Sequence, residues 1–475
     1  MVPGGERITM RADTILINAG PGEMRVALLA KGTVVQVLFE RDSDEGVEGA
    51  VFAGRVTAIN RDLNAAFVDI DGDDPGFLAA GDARRSGDQR IKSITEVLSE
   101  GDKVLVQADR EAMDGKGPRL TCRLALTGRF VTLHLGGEGM KFSRFLAPAE
   151  RKELEVLEEI LPGDCGLTFT PAAGGAEISQ ISADLDRLLA LRDDVDAAFD
   201  DTVKAPEALL APPDAIERAL TLSGPRCRVI SDDPEALRLV RELAPGVKVE
   251  AWSGTAPLFE EFGVEEALDG VLSPVVPLPS GGRVIISETP ALTAIDVDTG
   301  QTKGGPLGSG SPQRLAAKAN REAVTAIARE LRLRNLAGQI VIDFLAMKGK
   351  KERLEVLAQL RSALAGDPVE CHVLGYTGLG LVELTRRRRG PSLTRLLARP
   401  GGLMPDPTAA ALSALRRALA VRGAVIRIAC AADVADALAG PLKDALDDAN
   451  ARTGGAIRVE RDGALGPGRF EVTEG

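Results

Sequence analysis

Histidine is almost missing from this chain. Only His134 and His372 occur among 475 residues, so a catalytic centre built on paired imidazoles is hard to assemble. Any hydrolytic chemistry must lean on carboxylates and a metal ion. Aromatic residues make up only 3%, with a single tryptophan and a single tyrosine. The five cysteines, Cys122, Cys165, Cys227, Cys371 and Cys430, stand far apart, and none forms a C-x-x-C pair. That excludes a disulfide framework and a zinc knuckle, and leaves buried apolar thiols as the reading. No apolar run approaches the roughly 20 residues that a membrane helix needs. The opening MVPGGERITMRAD lacks the apolar core of a signal peptide. Met10 offers an alternative start, residues 1–12 read as a disordered N-terminus, and the expected location is cytoplasmic.

Net basic charge is missing too. The formal charge of −12 argues against a broad nucleic-acid surface, although local distribution matters more than the total. Basic clusters occur at Arg84-Arg85, at Lys348 with Lys350-Lys351, and from Arg386 to Arg389. Taken singly, each also reads as a solvated face.

What is present is a globular chain, 44% hydrophobic and 27% charged, long enough for several cores. TILINAG and MRVALLAKGTVVQVLFE read as two strands around a turn. AVFAGRVTAINRDLNAAFVDIDGDDPGFLAA and GDKVLVQADRE supply short strands with regular turn signals, the pattern of a small closed barrel. A helix follows in AEISQISADLDRLLALRDDVDAAF, then a Pro-rich break, then an α/β pattern through CRVISDD, PEALRLVREL and VKVEAW. LPSGG opens the densest unit: two strands in GGRVIISETPALTAIDVDTG, a long amphipathic helix, the buried strand AGQIVIDFLAM and a second helix. VECHVLGYTGLGLVELTRR closes it, and residues 408–475 read as a small helix–strand–helix–strand domain.

Two strands of the dense unit end in acids: Asp296 and Asp298 in TAIDVDTG, and Asp343 in IVIDF. Ligands of open α/β sheets gather beyond the carboxyl ends of strands. Residues 296 and 298 of an extended strand share a face. If the strands are neighbours, all three carboxylates converge, an arrangement that is costly without a cation. Mg²⁺ or Mn²⁺ is the natural partner. The competing reading has one or more of these acids capping a turn or helix.

ALTAIDVDTG, ARELRLRNLAGQIVIDF, GLVELTRRR, ILINAG, GRVTAINRDLNAAFVDIDGDDPGFL and LPSGGRVII, in their order along the chain, resemble the catalytic region of the ribonuclease E/G family. The resemblance covers about residues 13–397, with a looser likeness beyond. It implies an α/β multidomain fold. A ribonuclease H-like unit (13–47 and 213–277) would be interrupted by an S1-type OB barrel (48–122) and a 5′-sensor-like unit (123–212). A DNase I-like metal unit (278–397), a linker (398–407) and a small C-terminal α/β domain (408–475) would follow. It implies that Asp296 and Asp343 hold the catalytic Mg²⁺. It also implies that single-stranded RNA is cut to 5′-phosphate and 3′-hydroxyl ends. Phe67, Phe77 and Lys116 match RNA-contacting positions, with barrel core as the plain alternative for the two phenylalanines.

The chain departs from the family at several places. Asp298 stands where the family has asparagine; a carboxylate cannot donate to phosphate, so it is either an extra metal ligand or a brake on the reaction. In the family's 5′-monophosphate pocket Thr170 remains, but Phe169 and Glu370 stand where two arginines belong. The cysteine motif that joins subunits through shared zinc is replaced by LTRLLARPGGLMPDP, so no zinc is expected and any homo-oligomer would form through ordinary packing surfaces. PLGSGSPQR replaces an acidic, threonine-containing segment. The leading expectation is a Mg²⁺-dependent endoribonuclease of single-stranded RNA, serving rRNA or mRNA processing or decay. The alternative is a catalytically weak RNA-binding paralogue.

Overall fold

The computed structural model describes residues 11–43, 46–72, 74–84, 91–112, 117–143, 146–299, 312–347, 349–399, 404–454 and 456–475. Two compact units emerge. One comprises 1–43, 230–236 and 250–475; the other comprises 44–229 and 237–249.

The first unit begins with three antiparallel strands, β1 (Ala12–Gly20), β2 (Glu23–Ala30) and β3 (Thr33–Arg41). The stretch expected as one strand is thus two, β2 and β3, joined at Lys31-Gly32. Both residues have positive φ, 51° and 78°, which makes the two-residue link the kind of turn whose twist suits a hairpin.

In the second unit, β4 (Val51–Asn60), β5 (Ala65–Asp69), β6 (Gly76–Ala79), β7 (Lys103–Arg110) and β8 (Arg119–Thr121) form a closed barrel. The order is β4-β5-β6-β8-β7, and β7 returns to β4. Only the β6–β8 pair is parallel. Alternation along the strands turns Val56, Ala66, Val68, Leu78, Val106 and Leu120 inward. A second sheet holds β9 (Ala125–Thr127), β10 (Val131–Leu135), β11 (Met140–Lys141) and β12 (Cys165–Phe169), in the order β11-β12-β10-β9. The helix Ile178–Asp201 covers it with Ile181, Leu185 and Leu188. The strand β13 (Glu207–Leu210) pairs with β4 of the barrel, although the sequence grouped it with the sensor-like segment.

Back in the first unit, Ser231 ends β14 (Ser223–Ser231) and donates its hydroxyl to the Ile17 carbonyl at 3.0 Å. Trp252, just past β15 (Lys248–Ala251), donates its backbone N–H to Ser231. Then comes a six-stranded sheet of β16 (Val275–Pro277), β17 (Arg283–Glu288), β18 (Thr293–Asp298), β19 (Gly338–Asp343), β20 (Cys371–Tyr376) and β21 (Val382–Arg386). Its order is β16-β17-β18-β19-β21-β20. The helices Pro312–Leu333 and Lys350–Leu364 lie on one face. Ala323, Ile327, Leu331, Leu357 and Leu360 meet Val284, Ile295, Val297, Ile340, Ile342 and Leu384 in its core. The opposite face is open: Ser287, Asp296, Gln339, Asp343, Leu374 and Glu383 all stand exposed.

The chain ends in β22 (Val425–Cys430), flanked by β23 (Ala456–Arg461) and β24 (Phe470–Glu474), with helices at Pro407–Ala420, Ala432–Ala439 and Lys443–Thr453. Two helices and two closing strands therefore replace the single helix and strand expected. Arg416 of the first helix pairs with the buried Glu23, which also accepts from Arg41 at 2.8 Å. This domain is thus tied to the N-terminal hairpin by a charged network rather than being free-standing. Among the described residues, no helix is long and apolar enough to cross a membrane.

Candidate metal and RNA site

β18 and β19 run parallel, joined through the helix Pro312–Leu333, the usual route between parallel neighbours. Their register ends on the pair Asp296↔Asp343. Two apolar strands, buried through Ile295, Val297, Ile340 and Ile342, thereby set two carboxylates side by side on the open face. Partial desolvation, then Asp343, then Asp298 push the Asp296 carboxyl above its ordinary range; the Val297 N–H and Arg283 pull the other way. That crowding is what a hard cation relieves.

Asp298 departs from the expected convergence. Across the β17–β18 hairpin it faces Arg283, and its Oδ2 accepts from Arg283 Nε at 3.0 Å and Nη2 at 2.6 Å. Among the described residues no three histidine, cysteine or acidic side chains gather as a metal group. The Asp296–Asp343 pair is the donor set here that could hold a hard cation such as Mg²⁺, which is content with few carboxylates.

Phe67 and Phe77 are register partners on β5 and β6, with rings edge-on at 6.0 Å. Both are half-buried, while their strand neighbours Ala66, Val68 and Leu78 point into the barrel. They sit on the strand face opposite the barrel's inward-pointing residues. Lys116 lies outside the described residues.

Phe169 is only 1% exposed, and its ring stacks on Phe142 at 5.0 Å with 2° between planes. It is a core residue of its sheet. Thr170 is buried as well, and its hydroxyl donates to the Arg129 carbonyl at 2.6 Å. Glu370, on the first unit, is exposed with Oε1 3.2 Å from His372 Nε2. Arg386, read from sequence as part of a basic cluster, is buried and grips Asp367 through Nε and Nη2 at 2.9 and 3.2 Å. It braces the sheet and is not a solvated or RNA-facing cation. Four of the cysteines are buried, Cys371 is half-buried, and all five are free thiols.

The sequence reading assigned Arg283 no role. The signal was present: the β17–β18 pairs are symmetric about Pro290–Ala291, which brings position 283 opposite 298.

Comparisons with known proteins point to one family. The sequence model of the Ribonuclease E/G family matches residues 125–389. Ribonuclease G of Haemophilus influenzae is 32% identical over 406 residues, 82% of each chain. Ribonuclease G of Escherichia coli K12 is 31% identical over 414 residues, 81% of each chain. Ribonuclease E of a Nostoc species is 34% identical over 366 residues, 73% of this chain and 52% of that protein. With the matched region spanning both the second unit's sheet and the paired aspartates, the chain belongs to the ribonuclease E/G family.

Proposed function

We propose that this member of the family, an endoribonuclease, is a cytoplasmic Mg²⁺-dependent enzyme that cuts single-stranded RNA to 5′-phosphate and 3′-hydroxyl ends. One observation carries the reading: the parallel register that sets Asp296 beside Asp343 on an open sheet face. These two side chains would hold the ion, with Mn²⁺ as its near substitute. When bound, the ion supplies an activated water and Lewis-acid stabilisation of charge on the phosphate. The chain supplies the rest. Asp296 and Asp343 fix the site's position, because their strands are locked by the core beneath. With Asp296, Asp343 and Glu383 exposed on that face, an extended strand of RNA would have direct access.

The barrel, read as an S1-type OB fold on its five-strand order with one parallel pair, would hold the RNA. Phe67 and Phe77 would offer ring faces to successive bases, a contact that tolerates any sequence. Lys116 would add a phosphate contact. The segments 13–47 with 213–277, 123–212 and 278–397 would be the ribonuclease H-like, sensor-like and DNase I-like units. Any homo-oligomer would assemble without zinc.

The test is cleavage of an unstructured RNA with Mg²⁺, with Mn²⁺, and with chelator. Internal cuts that need a divalent ion and leave 5′-phosphates are expected. Binding without cleavage under every condition would instead favour the weak RNA-binding paralogue, the reading to which Asp298 and the buried Phe169 lend support.

A further inference from the structure

We infer that Arg283 is a further catalytic residue: a guanidinium, steered by Asp298, that binds the RNA phosphate lying over Asp296 and Asp343. The inference rests on the reading of that pair as the cleavage site.

The geometry comes from register. The β17–β18 hairpin pairs Ile285 with Asp296 and Arg283 with Asp298, and β18–β19 pairs Asp296 with Asp343. Residues two apart on a strand share a face and stand about 6.4–6.8 Å apart. Arg283, Asp298, Asp296 and Asp343 therefore occupy two adjoining rows of the open face. Arg283 is close enough for its charge to act on the Asp296 carboxyl.

The guanidinium is oriented and only partly spent. Nε and Nη2 both donate to one oxygen, Asp298 Oδ2. Nη1 makes no hydrogen bond among the described residues, and the side chain is 43% exposed. A planar fork held at Nε and Nη2, with Nη1 left unengaged, suits a phosphate oxygen. The need is also plain. Asp296, Asp298 and Asp343 put three carboxylates where a polyanion must approach. None of them, when ionised, has a hydrogen to donate. Arg283 brings both a positive charge and donors to that row.

The simpler role for an arginine in this position is to neutralise Asp298. The two roles separate in a double-mutant series read as kcat and KM on one single-stranded RNA with saturating Mg²⁺. Arg283→Gln should lower kcat about 100-fold, the scale for losing one donor to transition-state charge, with KM changed far less. Arg283→Gln/Asp298→Asn, with both charges gone, should stay as slow as Arg283→Gln. Arg283→Lys should recover part of the loss. Thermal midpoints within a few degrees of the parent would show that folding is not the cause. Recovery of parental kcat in the double variant would overturn the inference, because charge neutralisation would then explain everything. So would Arg283→Gln retaining kcat within threefold. Asp296→Asn runs alongside: if it cleaves normally, the reading of the site itself falls; if only Arg283→Gln is active, the site stands and the arginine's role falls.

Discussion

A 5′-monophosphate on the RNA should make little difference to this enzyme. A guanidinium bound to phosphate contributes about 1.5–3 kcal/mol per charge-assisted hydrogen bond. A pocket with two arginines would thus favour the monophosphate by factors on the order of 10² or more. Here the first such position is Phe169, 1% exposed and stacked flat on Phe142; it presents neither charge nor donor. Thr170 could turn its hydroxyl to a phosphate only by giving up its 2.6 Å bond to the Arg129 carbonyl. That exchanges one neutral bond of about 1 kcal/mol for another. Glu370, which the resemblance aligns with the second arginine, is an exposed carboxylate and brings no cation. The net preference should therefore stay below about fivefold. The assay is a side-by-side rate comparison on one RNA sequence carrying 5′-monophosphate, 5′-triphosphate or 5′-hydroxyl. A tenfold advantage for the monophosphate corresponds to about 1.4 kcal/mol, more than these side chains supply, and would refute the reasoning. Arg144, outside the described residues, would then be the first candidate for a rebuilt pocket.

Three further outcomes are expected. Phe67→Ala and Phe77→Ala should each weaken single-stranded RNA binding by about 5- to 150-fold, the range for losing one stacked base; filter binding that moves less than twofold in both would return the pair to a structural role. Arg386→Met should cost about 3–5 kcal/mol, because it strands Asp367 in a fully buried site; a urea midpoint close to the parent's would contradict the bracing role. His134 is held below its ordinary pKa by burial and then by Lys141. Its imidazole, 2.9 Å from Thr168 Oγ1, therefore favours the folded state most above the unfolded value of about 6.5. That contribution is lost as pH falls through the lower folded value. His134→Gln should flatten the fall in urea midpoint between pH 7.5 and 5, and an identical slope in parent and variant would count against it.

The strands β18 and β19 were legible in the sequence because each is a short apolar run ending in an acid. The helices at 312–333 and 350–364 were legible from their apolar spacing. The β2–β3 turn was not, since Lys31 is an unusual residue for positive φ and broke no visible pattern. The fate of single charges was also hidden. Arg386 and Arg387 are neighbours in a basic run, yet strand alternation sends Arg386 inward to Asp367. Asp298 looked like a third ligand because it shares a face with Asp296. What sequence spacing leaves open is which cation stands opposite, and the hairpin register supplies Arg283. Phe169 illustrates the reverse case, where a substitution visible in sequence acquires its meaning only from the stacked, buried ring.

The central claim is that Asp296 and Asp343 together hold the ion that drives cleavage. It is tested most directly by Asp296→Asn and Asp343→Asn, with RNA cleavage and RNA binding measured on the same preparations. Each variant removes one of two charged oxygen donors, and among the described residues no third histidine, cysteine or acidic side chain gathers with the pair as a metal group; the nearby Asp298 is held by Arg283. Both should lose cleavage while binding single-stranded RNA as the parent does. Full cleavage by either variant would contradict the account.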